Sequence, residues 1–163
     1  MKVSAQEEYG LRCMLQLARR QMNGNLEPLT LAEIGRDEGL TVPNVAKMIR
    51  GLRKAGLVRS ALGRRGGYTL ARPAGVISVA EILHALGGRL YDPEYCNRYA
   101  GDLDTCTHVG DCSIRSLWGV LENRLESVLS QTKLSDLVRT ECGMSAVLDD
   151  RAAASLPRAG GGR

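Results

Sequence analysis

Two short helices separated by a glycine are predicted in the first third of the chain, and this spacing restricts the fold more than any other feature. Thr30 and Glu33 have the spacing of a capping box and begin a helix that Gly39 ends. Thr41 can cap a second helix with Pro43 in its first turn, where a missing N–H costs little. A helix, a tight turn and another helix form the helix-turn-helix arrangement.

The second of these helices has an apolar face and a basic face. The apolar positions that can pack inward are Val45, Met48, Ile49 and Leu52. The polar and basic positions, which we predict to bind DNA, are Thr41, Pro43, Asn44, Lys47, Arg50 and Lys54. In this motif the N-terminal residues of the second helix meet base edges in the major groove, so Asn44 and Lys47 are candidates for base contacts. The alternative is a solvated helix face.

A hairpin with a basic turn is predicted directly after the helix-turn-helix. Short strands over 57–60 and 68–70 bracket the sequence GRRGG, which has the chemistry of a hairpin turn. A basic hairpin in this place is the wing of a winged helix. We predict that Arg59, Arg64 and Arg65 contact DNA, with the two turn arginines able to reach a phosphate or the minor groove.

Charge is distributed unevenly along the 163 residues. Residues 1–75 carry 13 Lys or Arg against 6 Asp or Glu, whereas residues 76–163 carry 9 against 12. The first half would therefore meet a polyanion such as double-stranded DNA. An enzyme is not expected, because the sequence has no nucleotide-binding glycine pattern and no nucleophile with a plausible base beside it. A winged helix that binds proteins remains the alternative from another class.

The chain is expected to be cytoplasmic and not to enter a membrane. No apolar run approaches the roughly 20 residues that span a bilayer, and the N-terminus lacks the apolar stretch of a signal peptide. A reducing cytosol makes permanent disulfides improbable for the five cysteines. Metal or redox roles are correspondingly favoured.

Three cysteines share one polar, glycine-containing loop with the spacing C-x9-C-x5-C. They are Cys96, Cys106 and Cys112. Thiolates are good ligands for zinc and for iron–sulfur clusters, and a loop can bend three of them around one centre. With His108 they could also form a structural zinc site or a thiol–disulfide switch. Cys13 and Cys142 are expected to be inert.

A long amphipathic helix is predicted after the loop, from Ser113 to about Leu129. Its apolar stripe is longer than one small winged domain can cover, so we expect it to pack against its twin in a homodimer. The alternative is an intramolecular core helix. We divide the chain into a winged helix-turn-helix domain over 1–75, a cysteine loop and dimerisation helix over 76–142, and a disordered tail over 143–163. The predicted fold class is mostly α with a small β-hairpin wing.

As a set, these features resemble a known family. The stretch GLVRSALGRRGGYTLARP, the three cysteines and the long helix that follows them are similar to the bacterial winged-helix regulators that include the iron–sulfur cluster regulator and the nitric-oxide-sensing repressor. The resemblance covers residues 1 to about 142. It implies a homodimer that binds a palindromic operator and holds one iron–sulfur cluster, 2Fe-2S or 4Fe-4S, per subunit.

The resemblance also implies roles for single residues. The three family cysteines fall on Cys96, Cys106 and Cys112, and Cys112 matches best. One branch has a histidine three residues after the last cysteine, where this chain has Arg115, which cannot ligate a metal because it stays protonated. In the other branch an acidic residue near the N-terminus ligates from the partner subunit, and Glu8 falls on that position.

We therefore predict a transcriptional regulator, most simply a repressor, whose operator affinity is controlled by a cluster that senses redox state, nitric oxide or iron–sulfur status. Glu8 is the predicted fourth ligand, and His108 is the alternative. A thiol- or zinc-dependent regulator without a cluster is the competing interpretation.

Overall fold

The computed structural model describes residues 3–63, 66–89, 91, 94–100, 102 and 105–155, with the backbone alone for 152–155. Its helices and strands are α1 (Ala5–Met22), α2 (Leu31–Glu38), α3 (Val42–Lys54), β1 (Val58–Ala61), β2 (Gly67–Leu70), α4 (Val79–Ala85), α5 (Tyr95–Arg98), α6 (Ser113–Gln131) and α7 (Glu141–Ser155). Short 3-10 turns lie at Ala74–Val76 and Asp136–Val138. The predicted class, mostly helical with a small antiparallel hairpin, is confirmed.

The starts of α1, α2 and α4 follow capping boxes in the sequence, whereas Thr41 lies at the N-cap position of α3 without a side-chain capping hydrogen bond. The Thr30 hydroxyl accepts a hydrogen bond from the backbone N–H of Glu33 at 3.2 Å, and the Glu33 carboxylate accepts one from the backbone N–H of Thr30 at 2.8 Å. The same reciprocal pair occurs at Ser4 with Glu7 and at Ser78 with Glu81. Gly39 ends α2 with φ of 64°, a left-handed conformation that glycine adopts without steric cost.

One hydrophobic core joins α1, α2, α3 and α4. Its largest fully buried side chains include Met14, Ile34, Ile49, Ile82 and Leu134. The predicted inward face of α3 is confirmed, since Val45, Met48, Ile49 and Leu52 are all buried. Burial of that face turns the polar face of α3 outward.

The wing is a two-stranded sheet that is tied to the helices by a third segment. Strands β1 and β2 pair antiparallel, with Val58 opposite Leu70 and Ala61 opposite Gly67. Leu29, just before α2, exchanges both backbone hydrogen bonds with Tyr68, at 3.0 and 2.8 Å. The hairpin is thereby held in a fixed position relative to the helix-turn-helix.

Helix α6 has 19 residues, none of them buried, and it adjoins the winged domain at α4. His84 Nε2 on α4 lies 3.0 Å from Glu126 Oε2 on α6. Several apolar side chains of α6 are exposed, with 58% of Ile114, 54% of Leu117 and 58% of Val120 accessible. Within the described residues, no helix is both long and apolar enough to cross a membrane.

The C-terminal part differs from the prediction of a disordered tail from residue 143. Helix α7 continues to Ser155, and residues 156–163 lie outside the described part of the chain. Arg151 on α7 donates a hydrogen bond to the Asp136 carboxylate at 2.9 Å, and that carboxylate also accepts one from the backbone N–H of Lys133. This long-range ion pair, which residue periodicity cannot reveal, anchors the helix.

The substitution Gly67→Ala tests how the wing is attached. A Cβ at position 67 would lie 2.6 Å from the Leu29 carbonyl oxygen, closer than real Cβ atoms come to any neighbour. Because backbone atoms must then shift, we expect a loss of about 1–3 kcal/mol in the free energy of unfolding, measured by urea denaturation. Gly75→Ala is the matched control, since its Cβ would meet only the Ser135 hydroxyl at 3.8 Å. Equal stabilities of the two variants would contradict the packing described.

Candidate functional site

The predicted DNA-binding side chains that the structure describes are all exposed. All of those predicted on or just before α3 are exposed, namely Thr41, Pro43, Asn44, Lys47, Arg50 and Lys54. Arg59 on β1 is also exposed, and its Nε donates a hydrogen bond to the Thr69 hydroxyl at 3.1 Å across the hairpin. Arg64 and Arg65 fall outside the described residues. The roles of these side chains in DNA binding stay predictions.

Two of the three loop cysteines lie around the N-terminus of α6. Cys112 is the N-cap residue of α6, and its sulfur accepts a hydrogen bond from the backbone N–H of Arg115 at 3.3 Å. Cys96, on the short helix α5, has its sulfur 3.6 Å from the Tyr91 hydroxyl. Both cysteines are half-buried.

Arg115 connects the two cysteines, Cys112 through its backbone N–H and Cys96 through its side chain. Its guanidinium hydrogen-bonds to the Cys96 sulfur and also donates to the backbone carbonyls of His108, at 3.0 Å, and Val109, at 3.3 Å. One residue therefore holds together the start of α6, the turn before it and α5.

These contacts favour a thiolate at Cys96. The hydrogen bond with Tyr91 is the largest effect on the Cys96 thiol and lowers its pKa. Desolvation, the next largest, opposes this, and the hydrogen bond and charge of Arg115 lower the pKa further. Reciprocally, the hydrogen bond to Cys96 raises the pKa of Tyr91 and that of Arg115. The site is built for a negatively charged sulfur.

The donor set fits an iron–sulfur cluster in its chemistry, because Cys96 and Cys112 present thiol sulfurs beside one fixed cation and Cys106 is a free thiol in the same loop. The described part of the chain nevertheless contains no group of three His, Cys, Asp or Glu side chains that could hold a metal ion. Cys106 and the exposed His108 are not gathered with the other two cysteines. Glu8 is exposed on the first turn of α1.

The two remaining cysteines differ in their surroundings. Cys13 is fully buried in the core, and burial raises the pKa of its thiol to about 12. This agrees with the expectation that Cys13 is inert. Cys142 is exposed at the start of α7.

Sequence reasoning missed the contacts that organise the cysteine site. Arg115 was considered only as a residue that cannot ligate a metal, and Tyr91 was not singled out. Tyr91, Tyr95 and Tyr99 are four residues apart, a spacing that can indicate contact between side chains. In the structure their rings pack at a tilt, with centroids 5.2 and 4.8 Å apart. The reach of Arg115 back to Cys96 had no sequence signal, because it depends on how the loop folds.

A helix-turn-helix followed by a hairpin anchored beside it defines the winged-helix class of transcriptional regulators. Residues 3–140 match the family model of Rrf2, described as an iron-dependent transcriptional regulator, and the chain belongs to that family. The resemblance inferred from the sequence is thereby confirmed.

Known relatives and solved structures agree with this assignment. The HTH-type transcriptional regulator IscR of Cereibacter sphaeroides is 33% identical over 145 residues, which cover 86% of this chain and 89% of the relative. The structure of IscR from T. potens aligns with a TM-score of 0.63 at 30% identity, covering 97% of this chain and 93% of that one. The structure of CymR, the global cysteine regulator of B. subtilis, aligns with a TM-score of 0.62 at 26% identity, covering 85% of this chain and 96% of that one.

Alkylation of the metal-free protein tests the electrostatics of the cysteines. Because the Tyr91 hydroxyl lowers the pKa of Cys96, Tyr91→Phe should shift the rise of the Cys96 alkylation rate to higher pH. Cys13 should stay unmodified until the protein unfolds. The rates are measured with iodoacetamide between pH 5 and 9, followed by peptide mass spectrometry. Identical Cys96 profiles for the two proteins would contradict this account.

Proposed function

We propose that the protein is a homodimeric repressor whose affinity for a palindromic operator is controlled by an iron–sulfur cluster on Cys96, Cys106 and Cys112. The observation that carries the proposal is the position of the cysteine site. Cys112 caps the helix whose side contacts α4, and α4 packs in turn on α1 and α3. A change at the cysteines can therefore reach the helix that would enter DNA.

Recognition of DNA is assigned to the exposed face of α3 and to the wing. Asn44 and Lys47 near the N-terminus of α3 would meet base edges, while Arg50, Lys54 and Arg59 would neutralise phosphates. Thr41 supports this assignment, because its hydroxyl makes no capping hydrogen bond to the described residues of α3 and is free to donate to a phosphate.

Substitutions on α3 should separate specificity from affinity. Asn44→Ala should cost about 1–3 kcal/mol of binding to the preferred operator and relax specificity at one base pair. Arg50→Ala should weaken binding to all sequences alike and reduce the slope of log K against log salt by about 1, because one phosphate contact is lost. Both are measured by fluorescence anisotropy over a salt series, with an operator selected from random duplexes.

Arg124→Ala is the matched control for the DNA experiment, since it removes one exposed positive charge from α6, away from the proposed surface. Binding that is insensitive to both α3 substitutions, or an equal loss in Arg124→Ala, would contradict the assignment. A slope of log K against log salt that is near zero would favour a protein-interaction module instead.

The exposed stripe of α6 supports a homodimer. Ile114, Leu117, Val120, Leu121 and Val128 are each between 39 and 58% exposed on one helix. Apolar side chains repeated at this spacing usually pack against a partner, and a second copy of the chain offers the same stripe. A dimer would also place two recognition helices about one DNA turn, ~34 Å, apart, as a palindrome requires.

The cluster would be held by the three cysteines and by Glu8 of the partner subunit. When bound, it would supply a one-electron couple that also reacts with oxidants and nitric oxide. This chain's own residues would transmit the change: Cys112 caps α6, and Glu126 of α6 contacts His84 of α4. Gln6, two residues before Glu8, donates to the Leu86 carbonyl at 2.8 Å, so α1 and the end of α4 would move together.

Glu8→Ala and His108→Ala should identify the fourth ligand. We expect protein reconstituted without oxygen to contain matched iron and sulfide, with an absorption spectrum that Glu8→Ala alters and His108→Ala leaves unchanged. Because Glu8→Ala removes a ligand, a chelator should also remove the cluster more readily from this variant. The reverse pattern would assign the ligand to His108.

A mixed dimer distinguishes donation from the partner. When a Glu8→Ala subunit is paired with a Cys112→Ser subunit, one of the two sites keeps three cysteines and the partner's carboxylate only if Glu8 acts across the dimer. Such a dimer should then bind half the iron of the wild type with an unaltered spectrum. An altered spectrum would show that Glu8 does not ligate from the partner.

A thiol switch or a structural zinc is the second candidate. It is favoured by the likeness to CymR, a cysteine regulator, and by contacts that bring Cys96 and Cys112 to one residue, Arg115. A reconstituted protein without iron and sulfide, but with DNA affinity that changes on thiol oxidation or zinc addition, would favour this candidate over the cluster.

A further inference from the structure

We propose that Arg115 is the positioning residue of the cysteine site. Without a metal, it holds the Cys96 and Cys112 sulfurs and the turn at residues 108–109 in one arrangement. With a cluster bound, it stays hydrogen-bonded to Cys96 and makes the cluster easier to reduce. The second statement rests on the proposed function, whereas the first concerns the metal-free chain alone.

Arg115 contacts both ends of the cysteine loop. Its backbone N–H donates to the Cys112 sulfur, and its guanidinium reaches the Cys96 sulfur, nineteen residues earlier in the sequence. The same guanidinium donates to the carbonyls of His108 and Val109. Closing a chain segment of this length costs conformational entropy, and bonds between its ends offset that cost before any metal arrives.

The guanidinium is suited to this task. It carries five N–H donors in a rigid planar fork, so one side chain can serve a sulfur and two carbonyls at once. A lysine would keep the positive charge but present its three N–H donors on one nitrogen, without the planar fork. Charge and geometry can therefore be separated by substitution.

Tyr91 provides a second contact to the Cys96 sulfur. Its hydroxyl lies 3.6 Å from that sulfur, and its ring packs on Tyr95 with centroids 5.2 Å apart. The backbone N–H of Tyr91 donates to the Glu122 carboxylate of α6 at 3.1 Å. Tyr91 is thus fixed to the same helix as Arg115, but it does not contact the 108–109 turn in the described contacts.

Hydrogen bonds to a ligand sulfur and a nearby positive charge both favour the reduced, more negative form of an iron–sulfur cluster. Arg115 supplies a bond and a charge to Cys96, whereas Tyr91 supplies a bond without a charge. The two residues should therefore act on the reduction potential in the same direction and to different extents.

The test compares Arg115→Gln, Arg115→Lys and Tyr91→Phe in two measurements on the full chain. The first is the NMR order parameter of backbone amides 106–111 in metal-free protein. We expect the order parameters to fall from about 0.8 to below about 0.6, the range of a flexible loop, in both Arg115 variants. Those of Tyr91→Phe should match the wild type. The second is the midpoint potential of the reconstituted protein, which should fall most in Arg115→Gln and less in Arg115→Lys and Tyr91→Phe.

Arg124→Gln is the control, because it removes the same charge nine residues further along α6, about 13 Å from Arg115. It should change neither quantity. Wild-type order parameters in Arg115→Gln would overturn the positioning role, and an unchanged potential would overturn the effect on reduction. If the wild type takes up no iron and sulfide, the proposed cluster fails, while the order parameters still decide what Arg115 does.

Discussion

The contact between α4 and α6 is the constraint on which the rest of the structure depends. Helix α6 has no buried residue of its own, yet it begins at Cys112 and meets the winged domain through the pair His84 and Glu126. Helix α4 belongs to the core that also fixes α3, since Ile82 and Ile49 are buried in the same cluster. The cysteine site and the proposed DNA surface are thereby connected through the packed helices α6, α4 and α3.

Much of the fold was predictable because its signals are local. Capping boxes at Ser4, Thr30 and Ser78 gave the helix starts, and the apolar spacing of α3 gave its buried face. Helix α7 was not predictable, because its attachment depends on the pair Arg151 and Asp136, which is formed only after the chain folds. The bridge from Leu29 to Tyr68 was missed for the same reason.

The candidate site was predictable in its ligands but not in its organisation. Cysteine spacing pointed to Cys96, Cys106 and Cys112, and the structure brings Cys96 and Cys112 to one residue, Arg115, without gathering all three. A single chain also leaves Glu8 exposed on α1. Both facts are consistent with a site that the proposed dimer and its cluster complete together, since metal binding and ordering of ligand loops are commonly coupled.

The most direct test of the central claim is the operator affinity of one anaerobic preparation, measured before and after its cluster is removed with a chelator. Salt concentration and oligomeric state are held constant, and Cys112→Ser serves as a protein that cannot be loaded. The account predicts that cluster removal changes the wild-type affinity by at least about tenfold, or ~1.4 kcal/mol, and leaves the variant unchanged. Equal affinities of the loaded and stripped wild type would contradict it.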